Sequence, residues 1–196
     1  MDIKIEETPP SEVLFPLWQS ALGNTWPLSQ VAFLSKIGNK SATTFKATDE
    51  GKLVGMVTVN GGNITVILVS PDYQRKGIGS LLLETALNKI RESGHSRVVA
   101  GQGNGYFWPG VPLNLMGAMQ FLKKKGWVED ELVTDMACDL TNYSVPEDIK
   151  QKIAVSTDVE IRLSTATDAD GILAFEKKCF PEWEQTATKA IANKKF

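Results

Sequence analysis

The sequence has little of what disulfide-stabilised or zinc-binding domains depend on. Its 196 residues include two cysteines, Cys138 and Cys179, and one histidine, and there is no Cys-x-x-Cys motif. This composition argues against a disulfide framework and against a zinc site. Two isolated cysteines fit reduced thiols, so the sequence predicts a cytoplasmic protein without a metal centre.

Long apolar runs and an excess of one charge are also missing. No apolar stretch approaches the roughly 18 residues of a membrane helix, and the start Met1-Asp2-Ile3-Lys4 does not resemble a signal peptide. The chain has 21 basic and 23 acidic side chains and a net charge of −2, and its longest basic run covers residues 123–125. We therefore expect no membrane partner and no nucleic-acid partner.

The pattern of apolar residues predicts an α/β fold with a mixed sheet and helices on both of its faces. Strands are predicted at residues 2–6, 42–48, 52–59, 64–69, 97–100 and 132–140. Helices are predicted at residues 11–22, 29–37, 77–93 and 115–125. The three consecutive strands after residue 42 are separated by short turns, which is typical of an antiparallel meander.

The most informative segment lies between the apolar strand 64–69 and the helix that follows it. Here Gly77 and Gly79 permit close approach of a ligand to the backbone, at the point where free N–H groups of the helix converge. The helix dipole and the side chains of Arg75 and Lys76 add positive charge. The segment therefore predicts an anion site that suits a pyrophosphate, although a tight turn needed only for packing has the same pattern.

This segment resembles the signature of the GNAT superfamily, the acetyl-CoA-dependent N-acetyltransferases. That family carries Gln/Arg-x-x-Gly-x-Gly/Ala directly after its fourth strand, often preceded by Val-x-Pro. The matching residues are Gln74-Arg75-Lys76-Gly77-Ile78-Gly79 and Val69-Ser70-Pro71. A second segment, Ala118 to Trp127, resembles the fourth helix of the family. The resemblance covers residues 2–142 and agrees with the predicted order of strands and helices.

The resemblance implies that acetyl-CoA is the cofactor and that its pyrophosphate lies on the turn. The cofactor-binding residues would be Gln74, Arg75, Lys76, Gly77, Ile78, Gly79 and Ser80 on the turn, and Leu68 and Val69 along the strand. It further implies a bulge in the fourth strand, a gap between the fourth and fifth strands, and a backbone N–H that polarises the acetyl carbonyl.

The proton donor for the CoA thiolate is the open question of the resemblance. The family's usual tyrosine position is Leu122 here, and its asparagine position is Leu115, one residue after Asn114. Asn114 is an expected cofactor contact if the loop adjusts. Protonation by water, protonation by Tyr106, and weak or absent catalysis all stay open. The fourth strand carries no carboxylate, so a general base is not identified.

The glycine-rich loop 101–112 is the expected acceptor site, because ligands gather beyond the carboxyl ends of strands. Its candidate substrate-binding residues are Gln102, Asn104, Tyr106, Phe107 and Trp108, with Trp26 from the early helical region. The alternative is that these aromatic side chains cap the core beneath a long loop. A similar loop occurs in some tandem GNAT proteins.

The length of the chain is generous for one domain and short for two. We predict a GNAT-like domain at residues 1–143, a linker or weak helix at 144–157, and a partial second GNAT-like unit at 158–196. The last part is predicted to contain a strand at 159–163 and a helix at 167–179. The segment from Ile161-Arg162-Leu163 onward resembles the strand and helix that open such a domain. A strand and one helix cannot bury their own apolar faces, so we expect docking on the first domain or on a partner chain, as in a homodimer.

Two classes of function follow from these observations. The first is an N-acetyltransferase that transfers an acetyl group from acetyl-CoA to a primary amine of a small molecule or peptide. The second is a GNAT-like module that binds CoA with little or no catalysis. A nucleotide-binding domain without acyl chemistry is disfavoured, because neither standard phosphate loop occurs in the sequence.

Overall fold

The computed structural model describes residues 1–38, 41–101, 108, 110–134, 138–156 and 162–193. The chain divides into two compact units, Met1–Asp135 and Met136–Phe196, which are described separately. This division falls before the predicted boundary at residue 143. The predicted domain boundaries, and the partial second GNAT-like unit at 158–196, stay predictions.

The first unit contains a five-stranded sheet with the strands in chain order. The strands are β1 Ile3–Thr8, β2 Ala42–Asp49, β3 Lys52–Asn60, β4 Asn63–Val69 and β5 Val99–Ala100. Pairs β1–β2, β2–β3 and β3–β4 are antiparallel, whereas β4 and β5 are parallel. The predicted mixed sheet and its antiparallel meander are confirmed.

Four helices accompany this sheet in the predicted order. They are α1 Phe15–Leu22, α2 Gln30–Ile37, α3 Ile78–Glu92 and α4 Met116–Lys124. The Ser29 side chain caps α2 by accepting a 3.1 Å hydrogen bond from the N–H of Ala32. Crossing from β4 to β5 requires a long connection because the two strands are parallel, and α3 supplies it.

The predicted strand at 132–140 is wrong for its described residues. Residues 132–134 and 138–140 have no strand assignment. Leu132 and Leu140 are 74% and 67% exposed, so their apolar side chains gain nothing from burial there. An alternating pattern stabilises a strand only when one face is covered.

Two apolar clusters cover the two faces of the sheet. Leu82, Leu83 and Ile90 of α3 form a buried cluster with strand residues such as Val57. A second cluster joins α1 and α2 to the opposite face of β3 and β4 through residues that include Trp18, Phe33, Met56 and Val66. Successive strand side chains point to opposite faces, which explains why Met56 and Val57 belong to different clusters.

The second unit contains three helices in its described residues. These are α5 Glu147–Val155, α6 Ala169–Cys179 and α7 Glu184–Ala192. Helix α5 lies in the segment expected to be a linker or weak helix. The predicted helix at 167–179 is confirmed by α6, whereas residues 159–161 of the predicted strand 159–163 lie outside the described residues. Arg162 and Leu163 have no strand assignment.

No helix among the described residues is long and apolar enough to cross a membrane. Within the same residues, no group of three or more His, Cys, Asp or Glu side chains is arranged to hold a metal ion. Cys138 and Cys179 are free and exposed.

Asp168 organises the N-terminal end of α6 through charged and uncharged partners. Its carboxylate accepts two 2.7 Å hydrogen bonds from the Arg162 guanidinium, and the backbone and hydroxyl of Thr165 donate two more. These bonds, with the Arg162 pair as the largest cause, hold the pKa of Asp168 far below its ordinary value of 3.8. Thr165 and Asp168 thereby form a capping box around the 3-10 turn Ala166–Asp168 that leads into α6.

We expect Asp168→Asn to speed amide hydrogen exchange in α6 at neutral pH. A carboxyl group whose pKa is lower in the folded state than in the unfolded state stabilises the folded state at pH values above its unfolded pKa. That stabilisation is lost as the pH falls from the unfolded pKa through the folded pKa. The difference between variant and wild type should therefore shrink on acidification below about pH 4. Exchange measured by mass spectrometry tests this, with Asp170→Asn as control. Equal exchange rates at neutral pH would contradict the assigned role.

Candidate active site

The pairing between β4 and β5 ends after two residue pairs, Asn63 with Val99 and Ile64 with Ala100. The last contact is a 3.0 Å hydrogen bond from the N–H of Gly101 to the carbonyl of Ile64. Gly101 then adopts a left-handed φ of +99°, and a Cβ there would lie 2.8 Å from the Cα of Gly110. Glycine is required at this position both by the φ angle and by the close approach. The chain thus turns away from β4, and no β4–β5 pair follows Ile64 among the described residues.

A β-bulge in β4 lies at the point where the two strands separate. On the β3 side, Thr58 pairs with Val66 and Val59 pairs with Ile64, so Thr65 is the extra residue. A bulge bends its strand and increases its twist. The bulge and the gap between β4 and β5 that the resemblance implied are both present in the structure.

A cavity of about 790 Å³ occupies the gap between these strands. Residues from both faces of the sheet line it: Ala21 and Leu22 of α1 on one face, and Leu83 of α3 with Phe121 of α4 on the other. The cavity therefore passes the open edge of β4 and connects the two sides of the sheet. Ligand sites in mixed sheets commonly lie where neighbouring strands separate.

The glycine turn forms one end of this cavity. Gly77 has a φ of +88° and Arg75, unusually for a residue with a side chain, has a φ of +63°. The two left-handed residues carry the chain from the end of β4 into α3, whose first N–H groups, at Ile78 and Gly79, have no carbonyl partner one turn earlier. A Cβ at Gly77 would meet no atom within 4 Å. The space above the turn is open, so the turn fits an anion such as a pyrophosphate.

The two basic side chains of the turn differ in their contacts. Lys76 Nζ donates a 2.8 Å hydrogen bond to the carbonyl of Asp72 and lies 4.9 Å from the centre of the Tyr73 ring. Lys52 approaches the same ring at 5.2 Å. Arg75 instead lines the cavity, and it makes no ion pair with any residue that the structure describes. Arg75 is therefore the cation available to a bound anion.

One tryptophan lines the α1 side of the cavity and packs on two others behind it. Trp108 lines the cavity and is 9% exposed. Its ring centre lies 4.9 Å from that of Trp26, in an edge-to-face arrangement, and 5.8 Å from that of Trp18. The Trp18 indole N–H donates a 3.1 Å hydrogen bond to the Trp26 carbonyl. Trp108 thus belongs to the core cluster and to the cavity wall at once.

Most of the candidate site residues that the structure describes meet at this cavity. The lining includes Leu68, Val69, Gln74, Arg75, Gly77, Gly79, Ser80, Trp108 and Asn114. Trp26 contacts Trp108, Lys76 points to Asp72, and Ile78 is buried in the α3 cluster. Gln102, Asn104, Tyr106 and Phe107 lie outside the described residues. The roles assigned to all of these residues stay predictions.

Two parts of the cavity wall were not anticipated. Ala21 and Leu22 end α1, where their apolar side chains predict core packing and nothing more. Thr65 interrupts an otherwise apolar strand, and a lone polar residue in a buried strand was the available signal. Leu122, the position of the family's tyrosine, lines the cavity with an apolar side chain.

The fourth and fifth strands of the sheet thus separate beside a left-handed glycine turn, which leaves room for an extended ligand with an anionic end. The model of the acetyltransferase (GNAT) family matches residues 11–105. Residues 11–105 therefore belong to a GNAT acetyltransferase domain. No protein of curated function matches the chain in sequence.

Solved structures agree with this membership. A fungal structure described as a GCN5-related glucosamine N-acetyltransferase region of a multi-domain GH3 beta-N-acetylglucosaminidase matches 97% of this chain at 28% identity, with a TM-score of 0.86. The match covers 24% of that protein, so this chain spans about a quarter of its length.

Two further structures are similar in fold. The ribosomal-protein-S18-alanine N-acetyltransferase of Escherichia coli matches 66% of this chain and 80% of its own at 20% identity, with a TM-score of 0.55. An aminoglycoside acetyltransferase from an uncultured soil metagenomic sample matches 71% and 97% of the two chains at 19% identity, with a TM-score of 0.53.

We expect Gly77→Ala to weaken binding of CoA about tenfold or more, because alanine resists a left-handed φ and the turn must relax. Gly51→Ala is a matched control: Gly51 has a φ of +84° and equally open surroundings, but it lies in the β2–β3 turn. Both variants should lose roughly 1–2 kcal/mol of stability. Calorimetry that showed equal loss of CoA affinity in both would contradict the anion site.

We expect Arg75→Ala to lower CoA affinity by about fivefold and Lys76→Ala by less, since Lys76 is already held by Asp72 and Tyr73. Titration calorimetry at low salt measures the difference, which should shrink as ionic strength rises. A larger loss in the Lys76 variant would overturn this assignment.

Proposed function

We propose that this chain transfers an acetyl group from acetyl-CoA to a primary amine of a small molecule or peptide. The observation that carries the proposal is the continuous cavity that runs from the glycine turn, along β4, to Trp108. A transferase of this kind must hold two substrates on opposite sides of one reacting centre, and this cavity reaches both sides of the sheet. GNAT membership supports the same reaction.

The described residues fit the cofactor in parts that match its chemistry. Gly77, Gly79 and Arg75 would bind the pyrophosphate. The edge of β4 would bind the arm. Ser70, which follows β4, donates its N–H to the carbonyl of Val54 on the β3 side, so alternation directs the backbone groups of Ile67 and Val69 to the other side. The Val69 carbonyl there accepts a 3.2 Å hydrogen bond from Gln74 Nε2. When bound, acetyl-CoA supplies an acyl group activated as a thioester.

We assign proton transfer in this site to water and to a side chain from residues 102–107. Among the described residues that line the cavity, none is Asp, Glu or His, and the sequence of 102–107 contains none either. As the amine nitrogen bonds to the acetyl carbon and the carbon–sulfur bond breaks, the amine proton passes to water. Tyr106 is our proposed donor of the proton that the sulfur takes up, because Leu122 carries none.

An amino sugar is the acceptor that we favour. The support is the fungal glucosamine N-acetyltransferase region, whose similarity extends over 97% of this chain. The cavity adds physical support, because Trp108 presents an indole ring to it and sugar rings pack on such surfaces with their C–H faces. We place the protein in the cytoplasm, because both cysteines are free and exposed.

The second candidate function is a CoA-binding module without catalysis. The apolar Leu122 at the cavity wall favours it, because the family's usual acid is missing there. The two functions share cofactor binding and differ only in turnover.

We expect the protein to acetylate glucosamine, with a kcat/KM that rises with pH through the pKa of the acceptor amine. An acceptor of higher amine pKa should show the same rise at correspondingly higher pH, because the cavity supplies no carboxylate or imidazole to accept the proton. Thiol release from acetyl-CoA measures both rates. CoA binding without turnover of any amine in a broad screen would favour the second function, and absence of CoA binding would refute both.

A further inference from the structure

The Thr65 hydroxyl is a buried polar group without a partner. Thr65 is 2% exposed, and its Oγ1 is enclosed with no hydrogen bond. The neighbouring buried threonines behave differently, since Thr44 and Thr58 hydrogen bond to each other at 2.8 Å. An unpaired buried hydroxyl destabilises a fold, so its presence calls for a partner that the described residues do not supply.

The position of Thr65 indicates what that partner is. Thr65 lines the cavity, is the extra residue of the β4 bulge, and follows directly on the last pair between β4 and β5. The glycine turn begins beyond Val69, at the other end of the strand. Four residues of strand, about 13 Å, separate Val69 from Thr65. An arm that is anchored by its pyrophosphate at the turn and follows the open edge of β4 therefore carries its acyl end toward Thr65.

We propose that Thr65 binds the acyl group of acetyl-CoA, its hydroxyl donating a hydrogen bond to the thioester carbonyl oxygen. The inference rests on the proposed function and adds a residue to it. Thr65 keeps its proton throughout: the new bond joins the amine nitrogen to the acetyl carbon, the carbon–sulfur bond breaks, and negative charge gathers on the oxygen in between. A donor already fixed in an apolar wall stabilises that charge.

A threonine hydroxyl does not accept a proton at neutral pH, so Thr65 is not a general base. Donation to the carbonyl is the role in which its hydrogen bond strengthens as the reaction proceeds. The burial of Thr65 also fits this role, because charge stabilisation is largest where water is excluded.

Thr65→Val tests the proposal, with Thr58→Val as its matched control. Both changes replace a buried hydroxyl in adjacent strands by a methyl group of similar size. Thr65→Val should raise the Tm of the free protein, because an unpaired polar group disappears. Thr58→Val should lower the Tm, because it leaves the Thr44 hydroxyl unpaired.

Binding measurements separate a ligand contact from a structural one. Calorimetry should show that Thr65→Val weakens acetyl-CoA about fivefold to tenfold, the worth of one hydrogen bond, and leaves CoA affinity unchanged. Thr65→Ser should restore the preference for acetyl-CoA. Thr58→Val should bind both ligands as the wild type does.

Each contrary result overturns the inference. If Thr65→Val is destabilised as Thr58→Val is, the hydroxyl of Thr65 has a structural partner. If Thr65→Val binds acetyl-CoA with the affinity of the wild type, or loses affinity for CoA and acetyl-CoA equally, Thr65 does not contact the acyl group. If the wild type binds acetyl-CoA and transfers its acetyl group while Thr65→Val is unaffected, only this inference fails. If the wild type binds neither ligand, the proposed function fails with it.

Discussion

The site depends on the early end of hydrogen bonding between β4 and β5. Two neighbouring parallel strands would ordinarily pair along their whole length, since each unpaired backbone group costs free energy when it is buried. Here pairing stops at Ile64, because Gly101 turns the chain away with a left-handed φ and a close approach to Gly110. The bulge at Thr65 bends β4 in the same place. The cavity and its access from both faces follow from this separation.

Several strained or unpaired groups line this cavity, and one further left-handed residue with a side chain, Glu50, lies in the β2–β3 turn. Arg75 holds a left-handed φ that disfavours a side chain, the first N–H groups of α3 have no carbonyl in the helix, and Thr65 Oγ1 has no partner. Away from the cavity, Thr44 and Thr58 are paired and the two clusters are closely packed. The meander and its helices thus supply the stability that allows local strain to persist beside the cavity.

The parts of the fold with a strong local signal were predictable from the sequence. The meander follows from alternating residues and turn chemistry, and α3 follows from its apolar period between Gly77 and Gly94. The predicted strand at 132–140 shows the limit, because alternation cannot reveal whether a face will be covered. Leu132 and Leu140 are exposed, and no other element packs on them among the described residues. Tertiary burial decides such segments, and it is not a local property.

The site was predictable where it depends on glycine and unpredictable where it depends on register. The turn requires a left-handed φ at residue 77, and a glycine in the sequence indicates such a position directly. Thr65 has no such backbone requirement. Its environment depends on the β-bulge in β4, in which Thr65 is the extra residue, and the sequence of the strand does not show where that bulge lies. The sequence did not decide whether Trp108 packs in the core or lines a pocket. In the structure it does both.

The proposed chemistry is constrained by an apolar cavity with few charges. Under the proposed function Arg75 would attract the anionic end of the cofactor, whereas the described wall at the other end offers no carboxylate to hold an ammonium ion. Such a wall penalises the charged form of an amine by desolvation. It therefore favours acceptors whose amine loses its proton readily in water, and electron-withdrawing oxygens near the nitrogen have that effect. An amino sugar has this chemistry, which links the acceptor that we favour to the same apolar environment in which the Thr65 hydroxyl lies without a partner.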